Sequence, residues 1–212
     1  MPTQARRTVV SSRVHQRRPA PIRTSHGSAP RRRSASQAII RPIRKSDLSV
    51  LAQINSLIFN GHRGSPEEAL AWVSAHYRFS PVYHYFVIAL RGKVVGYIGW
   101  RIEGGFLRPD PALELEQLGV LKKFEGRGYA SRLQRETLDT MVEIIKKRNT
   151  RIESYLQIFV WAYSTNLNAI AVYLKVFNEG AKGIREIFGA RSEIMYRGRV
   201  PMLSPVRGRN RR

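Results

Sequence analysis

Apolar residues between positions 38 and 200 recur with periods of two and of about 3.6, and the alternation between these periods predicts the secondary structure. A first strand is predicted over residues 39–44, followed by a helix that Ser46 or Asp47 caps. Ser65 and Pro66, followed by two acidic residues, are predicted to begin a second helix.

A β-hairpin and a further strand are predicted after these helices. Tyr83–Leu90 and Lys93–Glu103 are rich in aromatic and β-branched residues, and Arg91 and Gly92 between them predict a two-residue turn. Ala112–Val120 alternates as a strand does, which predicts four side chains on one face: Glu114, Glu116, Leu118 and Val120.

The remainder predicts two helices and three strands. We expect a long helix over residues 127–147, a strand buried on both faces over 155–162, and a helix over 166–177. Two short strands are predicted near 183–188 and 192–199. The order β-α-α-β-β-β-α-β-α-β-β predicts an α+β fold in one domain over residues 38–200.

The distribution of charged residues predicts a basic tail on each side of this domain. The 212 residues include 37 Lys and Arg against 15 Asp and Glu, a net charge of +22, and Asp47 is the first acidic residue. Residues 1–37 contain nine Arg, six Ser and four Pro, and they are predicted to form a disordered basic tail because they offer too little apolar surface to bury. Residues 201–212, with four Arg, are predicted to form a basic C-terminal tail.

Three interpretations of the N-terminal tail are open. An Arg-rich arm neutralises phosphates and favours contact with nucleic acid or a ribosome. An Arg- and Ser-rich, acid-free segment is also typical of an organelle transit peptide, although four prolines disfavour an amphipathic helix. The third interpretation is a solvated extension without a partner. Lacking a secretory apolar segment, the chain is expected to be cytoplasmic, or organellar if residues 1–37 are a transit peptide.

Several counts exclude classes of function. With no cysteine, the chain cannot form disulfide scaffolds, thiol nucleophiles, zinc fingers or iron–sulfur clusters. No apolar run approaches the roughly 18 residues of a membrane helix, so we expect a soluble protein without a membrane partner. The five histidines lack ligand spacing, and His76 and His84 are predicted helix-end and strand residues, so no metal is expected. Trp72, Trp100 and Trp161 are predicted core and sheet residues.

A Gly-rich turn joins the strand that ends at Val120 to the long helix. Gly126 and Gly128 let a ligand approach the backbone closely, and free N–H groups at a helix start bind anions. The turn lacks the Gly-Lys-Ser/Thr of a Walker loop and the Gly-x-Gly-x-x-Gly of a dinucleotide fingerprint. It predicts a phosphate or pyrophosphate ligand; taken alone, it also fits an ordinary strand-to-helix turn.

A second segment makes the interpretation of this turn more specific. Together the two segments resemble the GNAT superfamily, the acetyl-CoA-dependent N-acetyltransferases. Gly128 and Ala130 match the last two positions of that family's Gln/Arg-x-x-Gly-x-Gly/Ala loop, at the expected distance from Val120. The family's second signature, Asn-x-x-Ala-Ile-x-x-Tyr, is matched by Asn166, Ala169, Ile170 and Tyr173. This segment looks closest to acetyltransferases of protein N-termini, including the ribosomal-protein alanine N-acetyltransferases.

The resemblance implies a mixed, mostly antiparallel sheet that is splayed at the acyl-CoA site, with helices on both faces. It also implies an acetyl-CoA site, with the pyrophosphate on backbone N–H groups and the pantetheine along the strand, formed by Leu118, Val120, Glu125, Gly126, Arg127, Gly128, Tyr129, Ala130, Ser131 and Asn166. Asn166 is equally a candidate helix cap. Glu125 replaces the family's Gln or Arg, and Lys122, Lys123 and Arg127 are placed to offset its charge.

Three side chains are candidates for catalysis. The family motif places Tyr173 beside the CoA sulfur as a general acid; its alternative role is packing. Glu114 lies six positions before Val120, as the base does in histone-acetylating members, and Glu116 lies one pleat nearer the thioester. Two carboxylates on one face raise one pKa, as a base requires. A water chain without a protein base, or two solvated acids paired with Arg, remain alternatives.

Two functions follow. The first is an acyltransferase that moves an acetyl group from acetyl-CoA to an amine by direct attack, the acceptor being a small molecule or a protein, including its N-terminus. The second is a GNAT-like module that has lost turnover and binds a ribosome or nucleic acid through its tails. The intact Asn166, Ala169 and Tyr173 favour the first. Glu125, the charge of +22, and Trp161 at the position of the ribosomal-protein enzymes' catalytic Glu keep the second open.

Overall fold

The computed structural model describes residues 38–59, 65–104, 111–148, 155–185 and 192–202. Most of each tail lies outside these ranges, so the disorder of residues 1–37 and the domain boundaries remain predictions. None of the described helices is long and apolar enough to cross a membrane.

The described residues form seven strands and four helices in the predicted order. They are β1 (Ile39–Pro42), α1 (Leu48–Phe59), α2 (Pro66–Arg78), β2 (Tyr83–Leu90), β3 (Lys93–Glu103), β4 (Ala112–Val120), α3 (Tyr129–Arg148), β5 (Tyr155–Tyr163), α4 (Leu167–Tyr173), β6 (Gly180–Arg185) and β7 (Glu193–Pro201).

Several element boundaries differ from the prediction; β1, for example, ends at Pro42 rather than at residue 44. Helix α3 begins at Tyr129 rather than at residue 127, because Gly128 has a φ of 78°, which a helix does not accommodate. Helix α4 ends at Tyr173, and the chain then turns so that Phe177, predicted within the helix, is fully buried in the core. Strand β6 begins at Gly180, and the predicted residues 186–188 lie outside the described ranges.

One sheet holds all seven strands in the order β1-β2-β3-β4-β5-β7-β6. Neighbouring strands are antiparallel except β4 and β5, which are parallel. The β4–β5 ladder pairs Ala112–Leu115 with residues 157–160 and stops there. From Glu116 onward β4 has no ladder to β5, and we call this opening between the two strands the slot. The predicted splayed, mostly antiparallel sheet is confirmed.

The helices cover the two faces of the sheet. Helices α3 and α4 pack on one face, where Trp100 lies fully buried and its Nε1 donates to Thr137 Oγ1 at 2.8 Å. On the opposite face, α1 and α2 pack Leu51 and Val73 against β2 and β3. The sheet therefore has a larger core on the side of α3 and α4 and a smaller one on the side of α1 and α2, and the slot lies between these two helical layers.

Strand β5 is not buried on both faces, contrary to the prediction. Leu156, Ile158, Val160 and Ala162 are buried against α3 and α4, whereas the alternate residues are half-buried or exposed. Within the described ranges, α1 and α2 pack on β2, β3 and β4, not on β5. The apolar composition of β5 therefore reflects one buried face and one aromatic face.

Candidate active site

A β-bulge lies in β4 where the slot opens. Gly99 pairs with Gln117 and Trp100 with Leu115, so Glu116 is an extra residue with no partner in β3. The bulge resets the side-chain alternation: Glu114 and Glu116 face the side of α1 and α2, and Leu118 faces the core under α3. The prediction that Glu114, Glu116, Leu118 and Val120 share one face is therefore wrong.

The backbone of β4 beyond the bulge presents N–H groups to the slot. Leu121 N donates to Val95 O at 2.9 Å, toward β3. Successive amides of a strand point to opposite edges, so those of Leu118 and Val120 point away from β3 and into the slot. A single donor at this position, such as the Leu118 amide, can bind and polarise a carbonyl oxygen.

Glu114 is held by an arginine. It is 7% exposed, and its Oε2 accepts from Arg101 Nε at 2.9 Å and also from Arg101 Nη2. The guanidinium also contacts Glu103. Although burial of Arg101 opposes its charge, Glu114 and Glu103 raise the pKa of that guanidinium, so the group stays cationic. Glu114 is thus the acceptor of a two-fold, charge-assisted contact.

Glu116 has a different environment from Glu114. It is half-buried, and its Oε2 accepts a hydrogen bond from the Tyr85 hydroxyl at 3.3 Å. Burial, with the nearby charges of Glu114 and Glu103, raises the pKa of Glu116 to about 7, against the opposing effects of Arg101 and Tyr85. A carboxyl group with this pKa is half-ionised near neutral pH, which is the range in which a general base works best.

Tyr173 occupies the end of α4 on the opposite face of the sheet. It is 7% exposed in the same core as Leu118, and its ring meets Phe177 edge-on at 6.1 Å between centroids. Burial raises the pKa of Tyr173 to about 12, so the hydroxyl keeps its proton at neutral pH. The hydroxyl therefore carries a proton that it can donate to an acceptor beside it, although burial makes it a weaker acid than a free phenol.

The Gly-rich turn forms an open cradle at the start of α3. Gly126 and Gly128 have φ values of 71° and 78°, and a Cβ built on either would meet no described atom within 4 Å. The first backbone bond of the helix runs from Arg132 N to Gly128 O at 3.0 Å, so the amides of Tyr129, Ala130 and Ser131 precede it. This arrangement suits an anion such as a pyrophosphate.

Basic residues flank Glu125 along the chain. Glu125 and Arg127 are both exposed, and Arg127 and Lys123 each lie over the Phe124 ring, 5.5 and 5.2 Å from its centroid. Beside the cradle, Lys175 Nζ donates to Ser131 Oγ at 3.2 Å, and a cavity of about 310 Å³ is lined by Ser131, Gln134, Arg135, Lys175 and Val176. Exposure of Glu125 to solvent screens its charge, which weakens its repulsion of an anion in the cradle.

Asn166 caps helix α4. Its Oδ1 accepts from Ala169 N at 3.2 Å, as the capping alternative predicts. The side chain is exposed at the start of α4. A contact between Asn166 and CoA stays a prediction.

Sequence reasoning missed three residues that shape this site, Arg101, Tyr85 and His76. Tyr85 lies in an aromatic run that the sequence predicts as part of the sheet, and His76 is predicted only as a helix-end residue. His76 does lie in the last turn of α2 and His84 in β2, and within the described ranges no group of His, Asp and Glu side chains could hold a metal ion. Trp72, predicted in the core, is 37% exposed and packs edge-on against His76.

The chain belongs to the acetyltransferase (GNAT) family, whose model matches residues 51–178. That range includes β4, the cradle, α3 and α4, and the family makes the protein an acetyltransferase that uses acetyl-CoA. No curated protein matches the sequence significantly.

Solved structures share the fold at low sequence identity. The ribosomal-protein-S18-alanine N-acetyltransferase of Escherichia coli is 16% identical, with a TM-score of 0.55 over 80% of this chain and 98% of that one. The ribosomal-protein-alanine N-acetyltransferase of Brucella melitensis is 18% identical, with a TM-score of 0.53 over 76% and 99%. NAA60 of Arabidopsis thaliana, in complex with a bisubstrate analogue, is 17% identical, with a TM-score of 0.55 over 77% and 99%.

Proposed function

We propose that this acetyltransferase transfers the acetyl group of acetyl-CoA to the N-terminal amine of a protein. The observation that carries the proposal is Glu116, a half-buried carboxyl group with a pKa near 7 at the mouth of the slot. An α-amino group is protonated over much of the neutral range, so it must lose a proton before it attacks. Support for this acceptor class comes from the structural neighbours and from the segment between Asn166 and Tyr173.

In this proposal Glu116, rather than Glu114, is the general base. Arg101 holds the Glu114 carboxylate by two donors, which favours the ionised form and makes it a weak proton acceptor. Glu116 receives a single hydrogen bond from Tyr85 and lies in the bulge, where β4 and β5 have separated. Glu114 then serves to hold Arg101 in place beside the base.

The remaining groups complete a direct transfer. The amide of Leu118 stabilises the negative charge that develops on the carbonyl oxygen as the neutral amine attacks. Tyr173 donates its hydroxyl proton to the departing CoA sulfur and recovers a proton from solvent afterwards. The carbon–nitrogen bond forms as the carbon–sulfur bond breaks, and Glu116 holds the proton that the amine has lost.

The cradle is proposed to hold the CoA pyrophosphate, and one pair of glycine variants tests this. Gly128→Ala and Gly92→Ala both place a side chain at a φ of 78° in open space, so each should lose about 1–2 kcal/mol of stability. We expect only Gly128→Ala to weaken acetyl-CoA binding, by about tenfold or more in Kd, because strain there disturbs the amides of the cradle. Isothermal titration calorimetry measures both; equal Kd values would place the pyrophosphate elsewhere.

The acceptor class is tested by mass spectrometry of peptides after incubation with acetyl-CoA. Peptides with a free N-terminus should gain one acetyl group at the α-amine, and the same peptides with a blocked N-terminus should not. Acetylation at lysine side chains instead would overturn the proposed acceptor. Binding of acetyl-CoA without transfer to any amine would favour the alternative, a binding module that its basic tails carry to nucleic acid or a ribosome.

A further inference from the structure

A chain of hydrogen bonds leads away from Glu116 toward the surface. The Tyr85 hydroxyl lies 3.3 Å from Glu116 Oε2 and 3.2 Å from His76 Nδ1. These three side chains belong to three elements, β4, β2 and α2, so they meet through the fold and not through local sequence. Nε2 lies across the imidazole ring from Nδ1, on the side turned away from Tyr85.

The rings of this chain are fixed by their neighbours. His76 stacks on Tyr83 with centroids 4.1 Å apart and planes 11° apart, and Trp72 meets it edge-on at 3.8 Å. A Cβ at Gly99 would lie 2.6 Å from Tyr85 Cε1, so the glycine opposite the bulge makes room for the Tyr85 ring. Tyr85 is 3% exposed, whereas His76 is half-buried beside the exposed Trp72.

Given Glu116 as the base of the proposed function, we propose that Tyr85 and His76 form a proton relay that returns Glu116 to its ionised state by passing its proton to solvent. The relay gives Glu116 a path to solvent that does not pass through the slot, where acetyl-CoA and the acceptor are proposed to bind. It begins at the half-buried carboxyl group of Glu116, passes the buried Tyr85, and ends at the half-buried imidazole of His76.

The transfer balances in protons and charge. After Glu116 takes a proton from the amine, it donates to the Tyr85 oxygen while the Tyr85 hydroxyl donates its own proton to Nδ1 of neutral His76. The imidazolium so formed releases the Nε2 proton to water. Glu116 is again a carboxylate, Tyr85 is again a neutral phenol, and His76 exchanges protons with water to restore its starting tautomer.

The charges around the relay keep its members in the required states. Arg101 and Glu103 of β3 and Glu114 of β4 face this group, together with the phenols Tyr83 and Tyr97. Burial and Arg101 lower the pKa of His76, so its ring is neutral and able to accept a proton at pH 7. Burial and the charge of Glu116 raise the pKa of Tyr85, so it acts as a neutral donor and acceptor and never as a phenolate.

The test compares three variants by steady-state kinetics with a peptide acceptor at low buffer concentration. His76→Ala and Tyr85→Phe should each lower kcat by about tenfold with little change in KM, because proton removal and not binding is impaired. Imidazole added to the buffer should restore kcat of His76→Ala by replacing the missing ring, and should not restore Tyr85→Phe. The control is Tyr97→Phe, which removes a buried hydroxyl that bonds Asn55 and Gln117 outside the relay and should keep kcat.

The outcomes separate this proposal from the function on which it rests. Tyr85→Phe with wild-type kcat, or His76→Ala that imidazole does not rescue, would overturn the relay. If Glu116→Gln keeps full activity, the assignment of the base fails instead, whatever the relay variants do. Thermal unfolding checks that each variant is folded, and His76→Gln, with the same expected loss and rescue, replaces His76→Ala if that variant does not fold.

Discussion

Glu116→Gln is expected to lower kcat by about 100-fold or more, because the amide cannot accept the proton of the attacking amine. The Gln carbonyl oxygen still accepts from the Tyr85 hydroxyl, so the geometry of the bulge is retained. KM for acetyl-CoA should change little, since the cradle lies beyond the C-terminal end of β4 and does not include Glu116. Initial rates with an N-terminal peptide measure the loss.

A neighbouring acid provides the control for this variant. Glu103→Gln removes a carboxylate that contacts the same Arg101 but lies outside the bulge, and it should keep kcat within about threefold. The free energy of unfolding of Glu116→Gln at pH 8 should not fall, because a neutral amide avoids the cost of burying a charge. Wild-type kcat in Glu116→Gln would exclude this carboxylate as the base.

Tyr173→Phe is expected to lower kcat by a similar factor of about 100, because the hydroxyl that protonates the leaving sulfur is lost while the ring remains packed against Phe177. If Tyr173 assists departure of the thiolate, an acyl-CoA analogue whose thiol is more acidic should lose less rate in the variant than acetyl-CoA does. The comparison of kcat for the two thioesters measures this effect.

Tyr196→Phe is the matched control for the loss of a buried hydroxyl. Tyr196 is 8% exposed in the same core, but it belongs to β7. Its removal should leave kcat and the thioester dependence unchanged. Equal effects of the two variants would mean that Tyr173 acts through packing and not as an acid.

The elements that the sequence predicts best are those with local signals. The hairpin Tyr83–Leu90 and Lys93–Glu103 has the predicted bounds, because Arg91 and Gly92 at φ values of 51° and 78° form the tight turn expected of that pair. Helix α2 begins where Ser65 and Glu68 form a reciprocal capping box, with bonds of 3.2 and 2.7 Å. Helix caps and tight turns depend on a few adjacent residues, so they can be predicted from a single sequence.

The features that escaped prediction depend on contacts between distant residues. The bulge at Glu116 arises from the register of β4 against β3, and the alternation of apolar and polar residues along β4 does not predict it. Helix α4 stops at Tyr173 although the apolar pattern continues, because Phe177 is buried against other elements. At Gly198 of β7, a Cβ would lie 2.9 Å from Phe177 Cα, so this close approach also depends on residues about 20 positions apart.

The candidate site divides in the same way. Its cofactor half, from Gly126 to Ser131, follows from one strand-turn-helix segment and could be proposed from sequence. Its acid–base half could not be proposed from sequence. The contact with Arg101 makes the environment of Glu114 different from that of Glu116. Tyr85 links Glu116 to His76, and these contacts join β2, β3, β4 and α2. Which of two acids is free to act as a base is a property of these contacts.

The role of Glu116 as the base of acetyl transfer can be read from the pH dependence of kcat. Because burial raises its pKa to about 7, Glu116 is protonated and inactive below that pH and ionised above it. We expect wild-type kcat to rise as the pH passes through about 7 and then to level, and we expect the residual kcat of Glu116→Gln to lack this rise. A rise near pH 7 that persists in Glu116→Gln would exclude Glu116 as the base.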